Sequence, residues 1–200
     1  MEKQDKVLLG LKLPTDPRWV NIVEKNINEI LTDHAWCEQK AASNAISTIV
    51  RYPEHKDLVE ELTKISIEEM EHFGMVHQKI EERGMTLGFE RKDPYVHDLA
   101  GFIKRGGSRE GDLVDRLLFA AMIEARSCER FRILSEEIND QDLREFYREL
   151  MISEAGHYTT FIKLAKKYGK GVDVDKRWKE FLEFEATLMD KYGKKETMHG

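Results

Sequence analysis

Four stretches of this chain repeat an apolar residue every three or four positions, which marks one face of a helix. Each stripe carries a glutamate near its midpoint: Glu38, Glu69, Glu124 and Glu154. An unpaired carboxylate on a buried face costs several kcal/mol or is driven to take up a proton. A chain that folds around four of them needs compensating positive charge. Two of the four are followed at i+3 by a histidine, His72 and His157. Residues so spaced share a helix face, so a carboxylate and an imidazole can grip one metal ion. The Glu-x-x-His spacing alone means little in a chain with 25 glutamates and seven histidines. A third copy, Glu196 to His199 in the polar tail, reads as a chance occurrence.

In chain order, Thr15 or Asp16 can cap a helix with Pro17 at its first position. From there Trp19, Ile22, Asn26, Ile30, His34, Glu38, Ala41, Ala45 and Ile49 form one face, predicting a single long helix stopped by Pro53. A second helix runs from about Glu54, striped Leu58, Leu62, Ile65, Glu69, His72, Val76 and Ile80, and is capped at Arg83-Gly84. Residues 85–110 break the pattern and predict a crossover with a short helix over 94–104. The third helix, 111–138, is striped Leu113, Leu117, Ala120, Glu124, Ser127/Cys128, Phe131 and Leu134. The fourth follows Asn139-Asp140, striped Leu143, Tyr147, Leu150, Glu154, His157, Phe161, Leu164 and Tyr168. A last amphipathic segment, about 175–191, reads as a lid, and residues 194–200 as a frayed tail.

The two halves match. Glu38 to Glu69 spans 31 residues and Glu124 to Glu154 spans 30; Glu38 to His72 spans 34 and Glu124 to His157 spans 33. Two helical hairpins joined by a long crossover are the ferritin-like form of the four-helix bundle. The expected fold is therefore all-α: a ferritin-like four-helix bundle with a long crossover between its second and third helices and an extra C-terminal helix. It is expected as a single domain over 1–200, with its core at about 16–170. The crossover must return along helices of ~45 Å, and its length suffices.

Composition narrows the class. The chain is 35% charged with four prolines, favouring helix. It has no apolar run long enough to span a membrane. Cys37 and Cys128 make neither a disulfide framework nor a Cys-x-x-Cys site, so a reduced, cytoplasmic setting is expected. The net charge of −6 does not mark a nucleic-acid protein.

Four carboxylates and two divalent cations balance in charge, and two neutral imidazoles complete a six-ligand set: Glu38, Glu69, His72, Glu124, Glu154 and His157. Oxygen donors with one histidine per metal favour iron, with manganese the other fit. His34, one turn before Glu38, and Tyr147, two turns before Glu154, are expected beside the ligands as hydrogen-bonding residues. Cys37 and Cys128 are expected as buried small residues. Trp36, Phe73, Phe119 and Tyr158 flank ligands and are candidates for an apolar pocket.

The strings Asp33-His34-Ala35-Trp36-Cys37-Glu38, Glu68-Glu69-Met70-Glu71-His72, Glu124-Ala125-Arg126-Ser127-Cys128-Glu129-Arg130-Phe131 and Ser153-Glu154-Ala155-Gly156-His157-Tyr158 resemble the MiaE family of tRNA-modifying non-haem di-iron monooxygenases. The resemblance covers roughly residues 15–190. It implies hydroxylation of the isopentenyl group of a 2-methylthio-N6-isopentenyladenosine in tRNA, with two iron ions, dioxygen as co-substrate and electrons from a separate reductase. Residue by residue it carries the metal ligands onto the same six positions. The other readings are a di-iron oxidase of a small metabolite and a ferritin-like iron-binding protein. A monomer or small homo-oligomer is expected. Candidate tRNA contacts are Lys104, Arg105 and Arg109, on a crossover read as flexible and glycine-rich; Lys163, Lys166, Lys167 and Lys170 form a second basic cluster.

Overall fold

A backbone break at Asn26 divides the first predicted helix. Asn26 sits at φ −137°, ψ 39°, so α1 (Trp19–Lys25) ends there and α2 (Ile27–Arg51) begins. The single long helix expected up to Pro53 is thus two helices. Asparagine competes for its neighbours' backbone groups, which suits it to helix ends. In this computed structural model the described residues are 9–104, 106–189, 191, 192, 195 and 197–199. Five further helices follow: α3 (Lys56–Glu82), α4 (Pro94–Ala100), α5 (Arg109–Glu137), α6 (Gln141–Tyr168) and α7 (Val174–Met189). Among the described residues there is no strand, and no helix is long and apolar enough to cross a membrane.

The helices divide between two compact units. Lys25–Lys92 holds the α2–α3 hairpin, and Asp93–Lys195, with the N-terminal segment through Glu24, holds α4 to α7. In the first unit the turn between α2 and α3 is four residues, Tyr52 to His55. The buried residues of α3 are Leu58, Leu62, Ile65, Glu69, His72, Val76 and Ile80, which is the predicted stripe. Gly84 ends the hairpin at φ +67°, a left-handed conformation that glycine adopts without penalty.

In the second unit α5 and α6 are joined by Ile138–Asp140, and the Asp140 carboxylate accepts from Leu143 N at 3.0 Å to cap α6. Helix α5 is buried nearly all round, against α6 and against α4 and α7. Its predicted stripe was too narrow for that reason. At the end of α6, Gly169 is required by crowding. A Cβ there would lie 2.7 Å from Ala165 O and from Val114 Cγ2, and 2.8 Å from Val174 Cγ2.

The tail does not fray at its described residues. Met198 and His199 are buried. Met198 N donates to Asp33 Oδ2 at 2.7 Å, within the first unit. In the second, His199 lies 3.0 Å from Ser127 Oγ, with its ring stacked 5.8 Å from Tyr95. Partners far away in sequence hold the tail down, which its polar composition could not reveal.

Candidate metal centre

Helical periodicity puts the candidate ligands inside each hairpin. All six are 1–8 % exposed. In the α2–α3 hairpin, His72 Nδ1 lies 3.7 Å from Glu38 Oε2 and 3.7 Å from Glu69 Oε2. Single donor atoms of Glu38, Glu69 and His72 fall within 4.8 Å of one another. The fully buried His34 sets Nε2 2.6 Å from Glu38 Oε1, one turn away on the same face. In the α5–α6 hairpin, donor atoms of Glu124, Glu154 and His157 likewise lie within 4.8 Å of one another.

Each hairpin therefore gathers two carboxylates and one imidazole, buried and convergent. The donor chemistry fits a divalent metal of the oxygen-preferring kind. Burying two carboxylates together is otherwise unfavourable through both desolvation and like-charge repulsion.

The surroundings are apolar. Tyr147 is fully buried, its ring packed 5.3 Å from both Phe131 and Phe146. Trp36 and Phe73 meet at 5.8 Å in the α2–α3 hairpin. Phe119 is buried, and the half-buried Tyr158 packs 5.7 Å from Trp178. Cys128 is buried, and burial, with the nearby charges of Glu154 and Glu129, pushes its thiol up to about 12. It is a proton-bearing core residue. Cys37, expected to be buried as well, is only half-buried because it lies off the inward face of α2.

The chain is similar to known proteins along most of its length. The family model described as tRNA-(MS[2]IO[6]A)-hydroxylase (MiaE) matches residues 2–200. The chain belongs to this family. A Pseudomonas putida protein named tRNA 2-(methylsulfanyl)-N(6)-isopentenyladenosine(37) hydroxylase is 37% identical over 164 residues, covering 82% of this chain and 78% of its own. A Salmonella typhimurium protein of the same name is 28% identical over 238 residues, covering 92% of this chain and 84% of its own. Among solved structures, a Synechococcus protein with aldehyde deformylating oxygenase activity superposes with a TM-score of 0.86 at 33% identity, covering 95% of each chain. The MiaE-family chain thus has the fold class read from its hairpins: all-α and ferritin-like, with a long crossover and an extra C-terminal helix.

Of the candidate RNA contacts, Lys104 and Arg109 lie in the second unit. Lys104 is exposed, with Nζ 3.5 Å from Glu180 and its backbone N donating to Asp115 Oδ2 at 2.7 Å. Arg105 lies outside the described residues. Arg109 is not on the crossover: it is the first residue of α5, because the Ser108 hydroxyl accepts from Gly111 N at 3.1 Å and caps the helix. Lys104 is therefore tied down through its backbone, and Arg109 belongs to a helix. In the other basic cluster, Lys166 pairs with Asp175 at 2.7 Å.

Periodicity missed the buried ion pairs of the second unit. Arg126 and Glu185 are both fully buried, with Arg126 Nε donating to Glu185 Oε1 at 2.8 Å and Tyr95 OH donating to the same oxygen at 3.2 Å. Arg130, also fully buried, lays its guanidinium 4.1 Å over the Trp19 ring. Burial and the charge of Arg126 lower its pKa to about 9. The signal was available in Leu117-Leu118-Phe119-Ala120-Ala121-Met122, six consecutive apolar residues that surround the full circumference of α5.

Proposed function

We propose that this MiaE-family chain hydroxylates the isopentenyl group of a hypermodified adenosine in tRNA, as a single catalytic domain acting in the cytoplasm. The observation that carries the reading is the pair of buried sets, each of two glutamates and one histidine, in a chain of this family. The names of the P. putida and S. typhimurium relatives supply the substrate class.

In this proposal Glu38, Glu69 and His72 would hold one metal ion and Glu124, Glu154 and His157 another. Iron suits the donors best, and manganese is the other fit. When bound, the metal pair supplies dioxygen activation, so that one oxygen atom enters a C–H bond. The balance is R–H + O2 + 2 e− + 2 H+ → R–OH + H2O, and the two electrons come from a separate reductase.

The protein's own residues hold, orient and exclude water. His34 positions Glu38 through the 2.6 Å contact. Trp36 and Phe73 in the α2–α3 hairpin, and Phe119 in the second unit, would each shield the ligands of their own hairpin from bulk water.

Mass spectrometry of tRNA nucleosides from cells with and without the protein tests the substrate. The hydroxylated nucleoside should vanish when the gene is removed and return with the wild type, but not with Glu124→Ala. An unchanged nucleoside profile sinks the assignment. The Synechococcus neighbour favours a second reading, an oxygenase acting on a small aldehyde-like metabolite. Turnover of free aldehydes with an unchanged tRNA profile would select it.

A further inference from the structure

Phe89 is 96 % exposed, the most exposed large apolar side chain among the described residues. Its surroundings hold it there. The loop after α3 is tied to α2 on both sides of this residue. On one side Trp36 Nε1 donates to Gly88 O at 2.9 Å, and Gly88 N donates to Thr32 Oγ1 at 3.3 Å. A Cβ at Gly88 would meet Thr32 Cγ2 at 3.1 Å, so the loop lies close against the helix. On the other side Lys40 Nζ donates to Arg91 O at 3.0 Å, and Arg91 Nη2 donates to Glu29 O at 3.3 Å. Thr32, Trp36 and Lys40 are one ridge of α2 at i, i+4 and i+8. A loop clamped at Gly88 and Arg91 cannot fold Phe89 inward, and the residue forgoes the burial a phenylalanine ordinarily gains.

We infer that Phe89 is a stacking platform for an unpaired base of the RNA substrate. The inference rests on the tRNA reading above and adds a residue that positions the substrate. Proteins that read RNA loops stack splayed bases on aromatic faces, and rigid display lowers the ordering cost. Cations flank the platform. Lys92 is exposed, while Lys40 and Arg91 pair with Glu90 at 2.9 Å and Glu29 at 3.0 Å. With Lys40 and Arg91 held by these acidic partners, the exposed Lys92 is the cation of this loop that favours a phosphate-bearing partner. Trp36, which anchors Gly88, lies two residues before Glu38, ~3 Å along the axis but about 160° around it. A base held on Phe89 therefore sits on the flank of α2 away from the ligand set and anchors the RNA at a distance from the reacting nucleotide.

The test is a fluorescence-anisotropy titration of a labelled anticodon stem-loop RNA with the metal-loaded, full-length protein. Phe89→Ala and Phe89→Leu should each weaken binding roughly 5- to 100-fold. Phe89→Trp should keep it. A blunt RNA duplex without a loop should not distinguish the variants. Leucine separates stacking from simple apolar contact, and metal content and far-UV circular dichroism should be unchanged throughout. If Ala and Leu variants bind the stem-loop like the wild type while the nucleoside assay still shows hydroxylation, the platform is wrong and the proposed function stands. If wild-type protein binds no stem-loop RNA and the nucleoside profile is unchanged, both fall. A native mass that drops in Phe89→Ala, with RNA affinity intact, would make Phe89 a self-association residue and overturn the inference.

Discussion

Replacing Glu185 by glutamine should cost this protein about as much as truncating a large apolar core residue. The Glu185 carboxylate takes Arg126 Nε at 2.8 Å, Arg126 Nη2 at 2.6 Å and Tyr95 OH at 3.2 Å, and both ionic partners are fully buried. Removing one partner of such a pair leaves an uncompensated charge in low dielectric, at about 3–5 kcal/mol. The amide keeps an oxygen acceptor, so Glu185→Gln falls near the lower end, about 3 kcal/mol. It also leaves Arg126 facing Arg130 without its counter-charge; that repulsion already lowers Arg130. Against a total stability of about 5–15 kcal/mol, this is a large fraction. For a chain of this length it corresponds to a Tm fall of about 6–12 °C. Urea unfolding followed by far-UV circular dichroism should show a lower midpoint with an unchanged slope. The double variant Arg126→Met/Glu185→Leu removes both charges and should lose less than either single change. A Glu185→Gln variant within about 0.5 kcal/mol of wild type, or a double variant whose loss equals the sum of the singles, would refute the reasoning.

Arg130→Met should cost clearly less than Arg126→Met, because Arg130 has a ring contact and a long 3.5 Å bond to His199 O where Arg126 has a short ion pair; the same urea titration compares them. Asp115→Asn should destabilise by about 2–4 kcal/mol, since Arg177 Nε and Nη2 reach its two oxygens at 2.8 and 2.7 Å. It should also speed amide exchange at Lys104, whose N–H that carboxylate accepts. Cys37 should react with a thiol reagent long before Cys128 in native protein at pH 8, read by peptide mass spectrometry. Between pH 9 and about 12 the unfolded chain releases the Cys128 proton while the folded chain keeps it, so stability falls with rising pH across that window. Cys128→Ala should flatten the fall, as measured by urea midpoints at stepped pH. Glu69→Ala and Glu154→Ala should each lower bound metal, read by elemental analysis of purified protein.

Much of the fold was legible because helical periodicity and caps are local. The α3 stripe needed no correction, and Asp140 caps α6 where the Asn139-Asp140 pair announced a start. The six buried glutamates and histidines were legible for a related reason: a charged residue on an apolar stripe stands out against its neighbours. What escaped was non-local. Nothing near Asn26 in sequence demanded a break in a stripe that continued through it. His199 and Met198 looked like polar tail until Ser127, Tyr95 and Asp33 came within reach. Arg126 and Glu185 stand 59 residues apart, and neither lies on a predicted stripe.

The sequence by itself determined the long helices apart from the break at Asn26, the two hairpins and the three-donor set inside each, because i, i+3 and i+4 spacing is a property of one helix or of two joined by a short turn. Tertiary structure alone decided which charges are buried together around α5, where the tail docks, and that Phe89 is held outward. Those outcomes depend on contacts between residues some 50 to 165 positions apart, whose energies no local pattern encodes.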